Sequence, residues 1–310
     1  MSLFHLLPAA ASTMAVRIDR VFLYLILSTG LVALGIAATL LAFSIRYRRG
    51  AKVDRTLPPA GNRPLEIAWI AVPLLVFLTM FVWAAYEYVQ DALPPAGAMP
   101  VFVVAKQWMW KPQHENGRRE IDELHVPVGT PVRLVMTSQD VIHSFFVPAF
   151  RIKQDLVPGR YTTAWFEATR AGEYPLFCAE YCGSQHSMMR GRIIAMEPAA
   201  FARWLEQGAT PGGMAGRGFE LFRHYGCSGC HAAGSSVHAP DLNGLLGSVV
   251  HLSDGRSIIA DEAYVRDSVL LPKKDVVAGF APIMPSFAGQ IPEEDLMAII
   301  EYIRSTGKEG

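Results

Sequence analysis

The chain has 310 residues, a mean hydropathy of +0.23, and 28 basic against 28 acidic side chains. A net charge of zero argues against nucleic acid as a partner, and so apolar a composition argues against a purely soluble protein. The length leaves room for two or three structural units.

The apolar excess sits in two runs, VFLYLILSTGLVALGIAATLLAFSI (21–45) and LEIAWIAVPLLVFLTMFVWAAYEYV (65–89). Each exceeds the roughly 20 residues that cross a bilayer core as a helix, which predicts a transmembrane hairpin with helices over about 20–45 and 65–89. The first run is too long for the core of a removed signal peptide. Between the runs, RYRRGAKVDRTLPPAGNR carries Arg46, Arg48, Arg49, Lys52, Arg55 and Arg63 against Asp54. Positive loops stay cytoplasmic, so both termini and all that follows the second span are expected outside. Residues 1–96 form the N-terminal tail and hairpin.

After the connector DALPPAGAMP, residues 97–207 read as short strands broken by Gly and Pro. The candidates are VFVVAKQWMW, EIDELHVPVG, PVRLVMTS, YTTAWFEAT, GEYPLFC and GRIIAM, a spacing that suggests a β-sandwich or barrel. On the first, Trp108 and Trp110 alternate and are expected on one face.

In CAEYCGSQHSMM (178–189), two thiols, an imidazole and two thioethers fall within twelve positions. Two small-loop disulfides, here and at Cys227/Cys230, are the plain reading for close cysteine pairs in an oxidising compartment. Against it, each pair is followed at once by other metal-capable side chains. Thiolate, thioether and imidazole together suit copper, and zinc has little use for methionine. Cys178 and Cys182 could bridge two coppers, with His186 on one and a second histidine from elsewhere. DVIHSFFVP offers His143, just after a strand. Met188 and Met189 both stand near the motif, and the spacing favours Met189. One electron shared over two thiolate-bridged coppers changes each bond only slightly, so transfer is fast and needs no open coordination position.

A helix, PAAFARWLEQ, leads into GATPGGMAGRG, in which five of eleven residues are Gly. A Gly-rich linker is therefore placed at 208–214. From 215 to 310 the pattern turns helical, with GRGFELFRHYG, DEAYVRDSVLLP and PEEDLMAIIEYIRSTG. Pro292 opens the last helix and Gly307 can close it. CSGCH (227–231) is the signature of covalent c-type haem attachment, Cys227 and Cys230 bonding the porphyrin and His231 the iron. Met284, in the Pro-framed APIMPSF, is the candidate sixth ligand, and would raise the potential relative to a second imidazole. Its rivals are Met297, His238 and His251. From 214 onward the chain has 8 basic and 12 acidic residues, either a docking face for a basic partner or a plain solvated surface. His5, His114, His125, His224, His238 and His251 lack such motifs and read as surface or packing residues.

Taken together, C-x-E-x-C-G-x-x-H-x-x-M, the upstream DVIHSFFVPAFRIKQDLVPGR, the aromatic QWMW and the hairpin resemble subunit II of the haem–copper cytochrome c oxidases, over roughly residues 20–205. The trailing haem domain makes the chain look like the caa type. The resemblance implies a cupredoxin-like all-β Greek-key barrel followed by an all-α class I cytochrome c domain. It also implies a binuclear CuA centre: His143 and Met189 on one copper, His186 and the Glu180 carbonyl on the other, Cys178 and Cys182 bridging. The Glu180 carboxylate would reach a magnesium shared with subunit I. Trp108 would be where electrons enter, and Glu66 would stand at the mouth of a proton channel.

The implied role is the electron-input subunit of a terminal oxidase in a bacterial cytoplasmic membrane, its metal domains on the outer side. It would work with subunits I and III and an external donor: a cytochrome c, a copper protein or a quinol-oxidising complex. Oxygen reduction and proton pumping would lie in subunit I. The alternatives are the CuA subunit of a nitric oxide reductase, a copper-delivery protein and a plain membrane-anchored cytochrome.

Overall fold

The computed structural model describes residues 7–54, 56, 62–232, 235 and 237–307; Arg55 of the positive loop and His5 lie outside them. It contains two compact bodies, one of Thr13–Leu93 and one of Met1–Ser12 with Pro94–Gly310.

The first body is a helical hairpin. Helix α1 spans Thr13–Arg46 and α2 spans Arg63–Ala92. Both are longer than the apolar runs, because polar turns extend each end. Asn62 caps α2 by accepting from the Leu65 amide at 3.3 Å, and Pro64 fills the first turn, where no amide hydrogen is needed. Both helices expose large apolar side chains along most of their length, and polar side chains join the pair. Tyr24 Oη lies 2.7 Å from Thr79 Oγ1, its ring packs on Trp83, and Arg17 pairs with Glu87 and Asp91.

The second body opens with two sheets. Strands β1 (Met99–Lys106), β2 (Met109–His114), β4 (Pro131–Ser138) and β7 (Thr162–Glu167) form one in the order β2-β1-β4-β7. The other has the order β3-β9-β8-β5-β6, from β3 (Glu123–Pro127), β5 (His143–Val147), β6 (Ile152–Leu156), β8 (Gly172–Cys178) and β9 (Arg190–Met196). Leu124, Leu134, Met136, Phe145, Phe166, Leu176 and Ile193 are all fully buried. This is the curled, cupredoxin-like β-domain that the resemblance implies. Ala11 is woven in as well: its amide donates to Ala149 O at 2.9 Å and its carbonyl accepts from Thr169 N at 2.9 Å.

Two strand expectations change. VFVVAKQWMW is two strands that turn at Gln107–Trp108, so Trp108 and Trp110 do not share a strand face. Trp110 is fully buried in β2, and Trp108 sits half-buried in the turn. The β5–β6 hairpin, absent from the predicted strands, means that His143 not only follows a strand, β4, but also opens the next one.

Helix α3 (Pro198–Gln207) leaves the barrel, and the remainder folds around α4 (Gly213–His224), the short α5 (Ser228–His231), a β10–β11 hairpin (Val249–His251, Ser257–Ile259), α6 (Glu262–Leu270) and α7 (Glu293–Ser305). Helices α4 and α7 cross closely at Gly218, where any Cβ would come within 1.9 Å of Ala298 O. Phe222, Leu296, Ile299, Ile300 and Ile303 fill the core between them.

Candidate metal and haem sites

The donor atoms singled out around Cys178 come from three places. His143 opens β5, Cys178 ends β8, and Cys182, His186 and Met189 lie on the loop that returns to β9. The antiparallel pairing of β5 with β8, Phe145 opposite Cys178, brings the histidine beside the first thiol. His143, Cys178, Cys182 and Met189 are all buried.

Cys178 Sγ lies 3.9 Å from His143 Nδ1 and 3.2 Å from Glu180 O. Cys182 Sγ lies 3.4 Å from His186 Nδ1 and 3.8 Å from Met189 Sδ. The two sulfurs are 3.8 Å apart and both cysteines are free, so they share no disulfide. Two thiols, two imidazole nitrogens, a thioether and a carbonyl thus converge, a soft set that fits copper. Met189 is 1% exposed and Met188 68%, which separates the neighbouring thioethers.

The thiols ionise in sequence. Burial opposes charge on Cys178, but bonds from His143, the Ser144 and Glu180 backbone and Cys182 outweigh it and bring the group down to about 6. Burial and then the charge on Cys178 push Cys182 up to about 12. Thiolate is the form that binds metal.

Surrounding groups fix these donors. Asp140 Oδ1 accepts from His143 Nε2 at 2.8 Å, which turns Nδ1 toward the sulfur. The same carboxylate accepts from the amides of Gln107 and Val141, both at 2.7 Å. Cys182 O accepts from Gln107 Nε2 at 2.7 Å and from Trp108 Nε1 at 3.2 Å. Gly183 permits that approach: its φ is +117°, and a Cβ would sit 2.9 Å from Gln107 Nε2 and 3.3 Å from Trp108 Cζ2. Sequence reasoning passed over Gln107, Asp140 and Gly183, because none is a metal ligand and their roles depend on chain folded back from elsewhere. Glu180 projects from the loop with its side chain exposed. Glu66 is in the first turn of α2, in the other body, where a carboxylate suits the helix dipole.

In the helical part a cavity of roughly 590 Å³ is lined by Cys227, Cys230, His231 and Met284, with apolar walls that include Leu242, Val250, Val269 and Ile299. His231 Nδ1 donates to Pro240 O at 3.0 Å, which leaves Nε2 as the free lone pair, the state an iron ligand requires. The paired thiols, this tautomer and the apolar walls fit a covalently held haem. Among the rivals to Met284, Met297 is 2% exposed and packs against Phe102 and Val104 of β1, away from the cavity. His238 and His251 line the rim, His238 stacked on Phe280 at 4.6 Å and His251 held by Ser257 Oγ at 2.8 Å.

A third cluster, Glu120, Glu123 and His125, also places ligand-type atoms together. Its groups are already matched. Glu120 accepts from His114 at 3.0 Å and His125 at 2.5 Å, His125 stacks on Trp204 at 4.2 Å, and Arg192 pairs with Glu123. It knits α3 onto the barrel.

Residues 83–196 match the family "Cytochrome C oxidase subunit II, periplasmic domain", and residues 215–307 match "Cytochrome c". The two domains imply copper and haem c as cofactors. The chain is 33% identical over 257 residues to cytochrome c oxidase subunit 2 of Thermostichus vulcanus, covering 65% of this chain and 78% of that one. It is 30% identical over 302 residues to the subunit 2 of Alkalihalophilus pseudofirmus, covering 90% and 84%. A crystal structure of the periplasmic domain of subunit II of cytochrome oxidase from Bradyrhizobium japonicum aligns with TM-score 0.36 at 30% identity, over 37% of this chain and 96% of that one. By its motifs, the two family matches and the relatives from Thermostichus vulcanus and Alkalihalophilus pseudofirmus, the chain belongs to the cytochrome c oxidase subunit 2 family and carries a cytochrome c domain fused behind the copper domain.

Proposed function

We propose that the chain is the electron-input subunit of a membrane-bound terminal oxidase. Electrons arrive at the haem c domain, continue to a binuclear copper centre, and leave for the haem of subunit I, where oxygen reduction and proton pumping take place. When bound, the haem and the copper pair supply one-electron redox chemistry at low reorganisation. Cys227 and Cys230 would hold the haem covalently, His231 and Met284 would serve its iron, and the apolar cavity walls would keep water from it. Cys178 and Cys182, with His143, His186, Met189 and the Glu180 carbonyl, would hold the coppers, and Asp140 fixes the ring of His143.

The observation that carries this reading is the convergence of five soft and borderline donors and one backbone carbonyl about a buried sulfur pair that forms no disulfide. Trp108, bonded to the Cys182 carbonyl, is the point of electron input to the copper pair. The exposed Glu180 carboxylate is free to bind magnesium at the interface with subunit I, and Glu66 serves proton uptake there. The positive 46–63 loop supports a cytoplasmic hairpin turn. The weaving of Ala11 into the β-domain supports an N-terminus on the same, outer side.

Optical spectroscopy on the purified full chain tests the relay. A c-type haem band together with a near-infrared mixed-valence copper band is expected, and Cys182→Ser should abolish the second and spare the first. Persistence of the near-infrared band in Cys182→Ser would refute the ligand set, and haem alone in the wild type would reduce the chain to an anchored cytochrome.

A further inference from the structure

Strand β1 is buried on both sides. Val101, Val103 and Ala105 face the barrel core at 0% exposure, yet the alternate residues Phe102 and Val104 are also only 2% exposed. Strands covered on both faces read as unbroken apolar runs, and VFVVA is one. What covers the outer face is the cytochrome domain: Met214 of α4 and Met297 and Ala298 of α7 pack on Phe102, Val104 and Val135.

Charged pairs ring this apolar seam, and two of them join a β-domain cation to a cytochrome-domain acid. Lys111 Nζ meets Glu294 Oε1 at 2.8 Å, and Gln139 Nε2 donates to Glu294 Oε2 at 2.8 Å. Arg133 meets Glu262 at 3.1 Å, and Arg304 meets the same oxygen at 2.6 Å. Arg266, its side chain 5% exposed, pairs with Glu293 at 2.5 Å and donates to Gly159 O on the β-domain at 2.6 Å. Two of the acids after residue 214, Glu262 and Glu294, thus meet β-domain cations across this seam, while Glu293 holds Arg266 from within its own domain.

The glycine-rich segment is fitted to the barrel too. Thr210 N donates to Asn116 O at 3.0 Å and Met214 N to Glu115 O at 2.8 Å. At Gly213 (φ +61°) a Cβ would come 2.8 Å from Glu115 O, and at Gly117 (φ +87°) one would come 1.9 Å from Thr210 Oγ1. These glycines serve close backbone approach as well as freedom of rotation.

We infer that the cytochrome domain is no tethered shuttle: it is seated permanently on the outer face of the β2-β1-β4-β7 sheet, so that the haem cavity and the sulfur cluster keep one fixed separation. Glu294 reaches Gln139, the neighbour of Asp140, so the seat abuts the groups that orient His143. The consequence for electron transfer rests on the function proposed above; the seat itself does not.

Two measurements on the full chain in detergent test this. Under limited digestion by a broad-specificity protease, segment 208–216 of the wild type should resist cleavage. Arg266→Ala, which removes the buried clamp, should be cut there about tenfold faster or more, since cleavage follows the population of the opened form. An unchanged haem spectrum, including its methionine–iron charge-transfer band, shows that the domain itself is still folded. Lys111→Glu should also speed cutting, and Lys111→Glu with Glu294→Lys should restore resistance, an exchange that a folding defect would not reverse. Wild-type cleavage at the rate of an unstructured segment, or variants cut no faster than wild type, would overturn the seat. In the metal-loaded chain, the internal haem-to-copper rate should not change with solvent viscosity; a rate falling in proportion to viscosity would mean that the domain swings. Absence of the copper band would count against the proposed function and leave the protease result standing.

Discussion

Asp140 holds His143 by Nε2 at 2.8 Å, and the nitrogen left facing Cys178 is therefore Nδ1, at 3.9 Å from the sulfur. One carboxylate sets which atom of the ring can serve as a ligand. Because it also accepts from the Gln107 and Val141 amides, it ties that ring to the turn bearing Trp108.

Asp140→Asn should loosen the site without removing a donor. An amide accepts with one oxygen and presents an NH₂ to neighbours that are themselves donors. Loss of such an orienting partner typically costs about 10–100-fold in metal affinity. Competition with a copper chelator, followed by the near-infrared band, measures this; unchanged affinity would show that packing alone orients His143.

Gly183→Ala tests the fit between the copper loop and the β1–β2 turn. With φ at +117° and two contacts inside normal Cβ distance, the variant must strain its backbone and displace Gln107 and Trp108. A cost of about 1–3 kcal/mol in stability is expected. Calorimetry reads the loss, and tryptophan fluorescence reads the displacement of Trp108.

Much of this was legible in the sequence where the signal is local. The two spans, CSGCH, the copper motif and α3 depend on runs and spacings that a few residues declare. What depends on chain folding back was not legible. A tight turn hid inside VFVVAKQWMW because apolar alternation continues across it. The β5–β6 hairpin, HSFFV and IKQDL, was missed because its turn is a short 3₁₀ segment closed by Arg151 at φ +59°, where glycine would be the usual signal. The linker was readable in composition but not in use: a glycine that serves close approach, as Gly213 does to Glu115, looks the same as one that serves flexibility. The acidic surplus gave no hint that its partners were Lys111 and Arg133 of the same chain.

The Glu262 carboxyl supplies a pH dependence. Burial raises its pKa, but the charges of Arg304 and Arg133, with its own backbone bond, more than offset this and hold it below the ordinary glutamate value. The folded state therefore releases the proton more readily than the unfolded chain. The resulting stabilisation is complete above the unfolded pKa and disappears as pH falls through the depressed folded value. Thermal unfolding of the wild type from pH 7 to pH 3 should show this loss. Glu262→Gln should be less stable at pH 7 and should flatten that part of the curve; an unaltered slope would assign the acid sensitivity to other carboxyls.

Met284 and Met297 separate the haem site from the domain seat, since both are thioethers of the same domain with different surroundings. Met284 lines the haem cavity in its Pro-framed loop, so Met284→Leu keeps the volume and removes the sulfur. It should leave the fold intact, vacate the sixth iron position, and shift the reduced haem spectrum and midpoint potential. Met297 is buried against Phe102 and Val104, and truncating such a side chain costs about 2–5 kcal/mol. Met297→Ala should therefore lower the stability of the second body and open the 208–216 segment to protease, with the haem spectrum unchanged. The opposite pattern, a haem shift on changing Met297 and none on changing Met284, would exchange their roles and would need α7 to turn its buried face toward the haem.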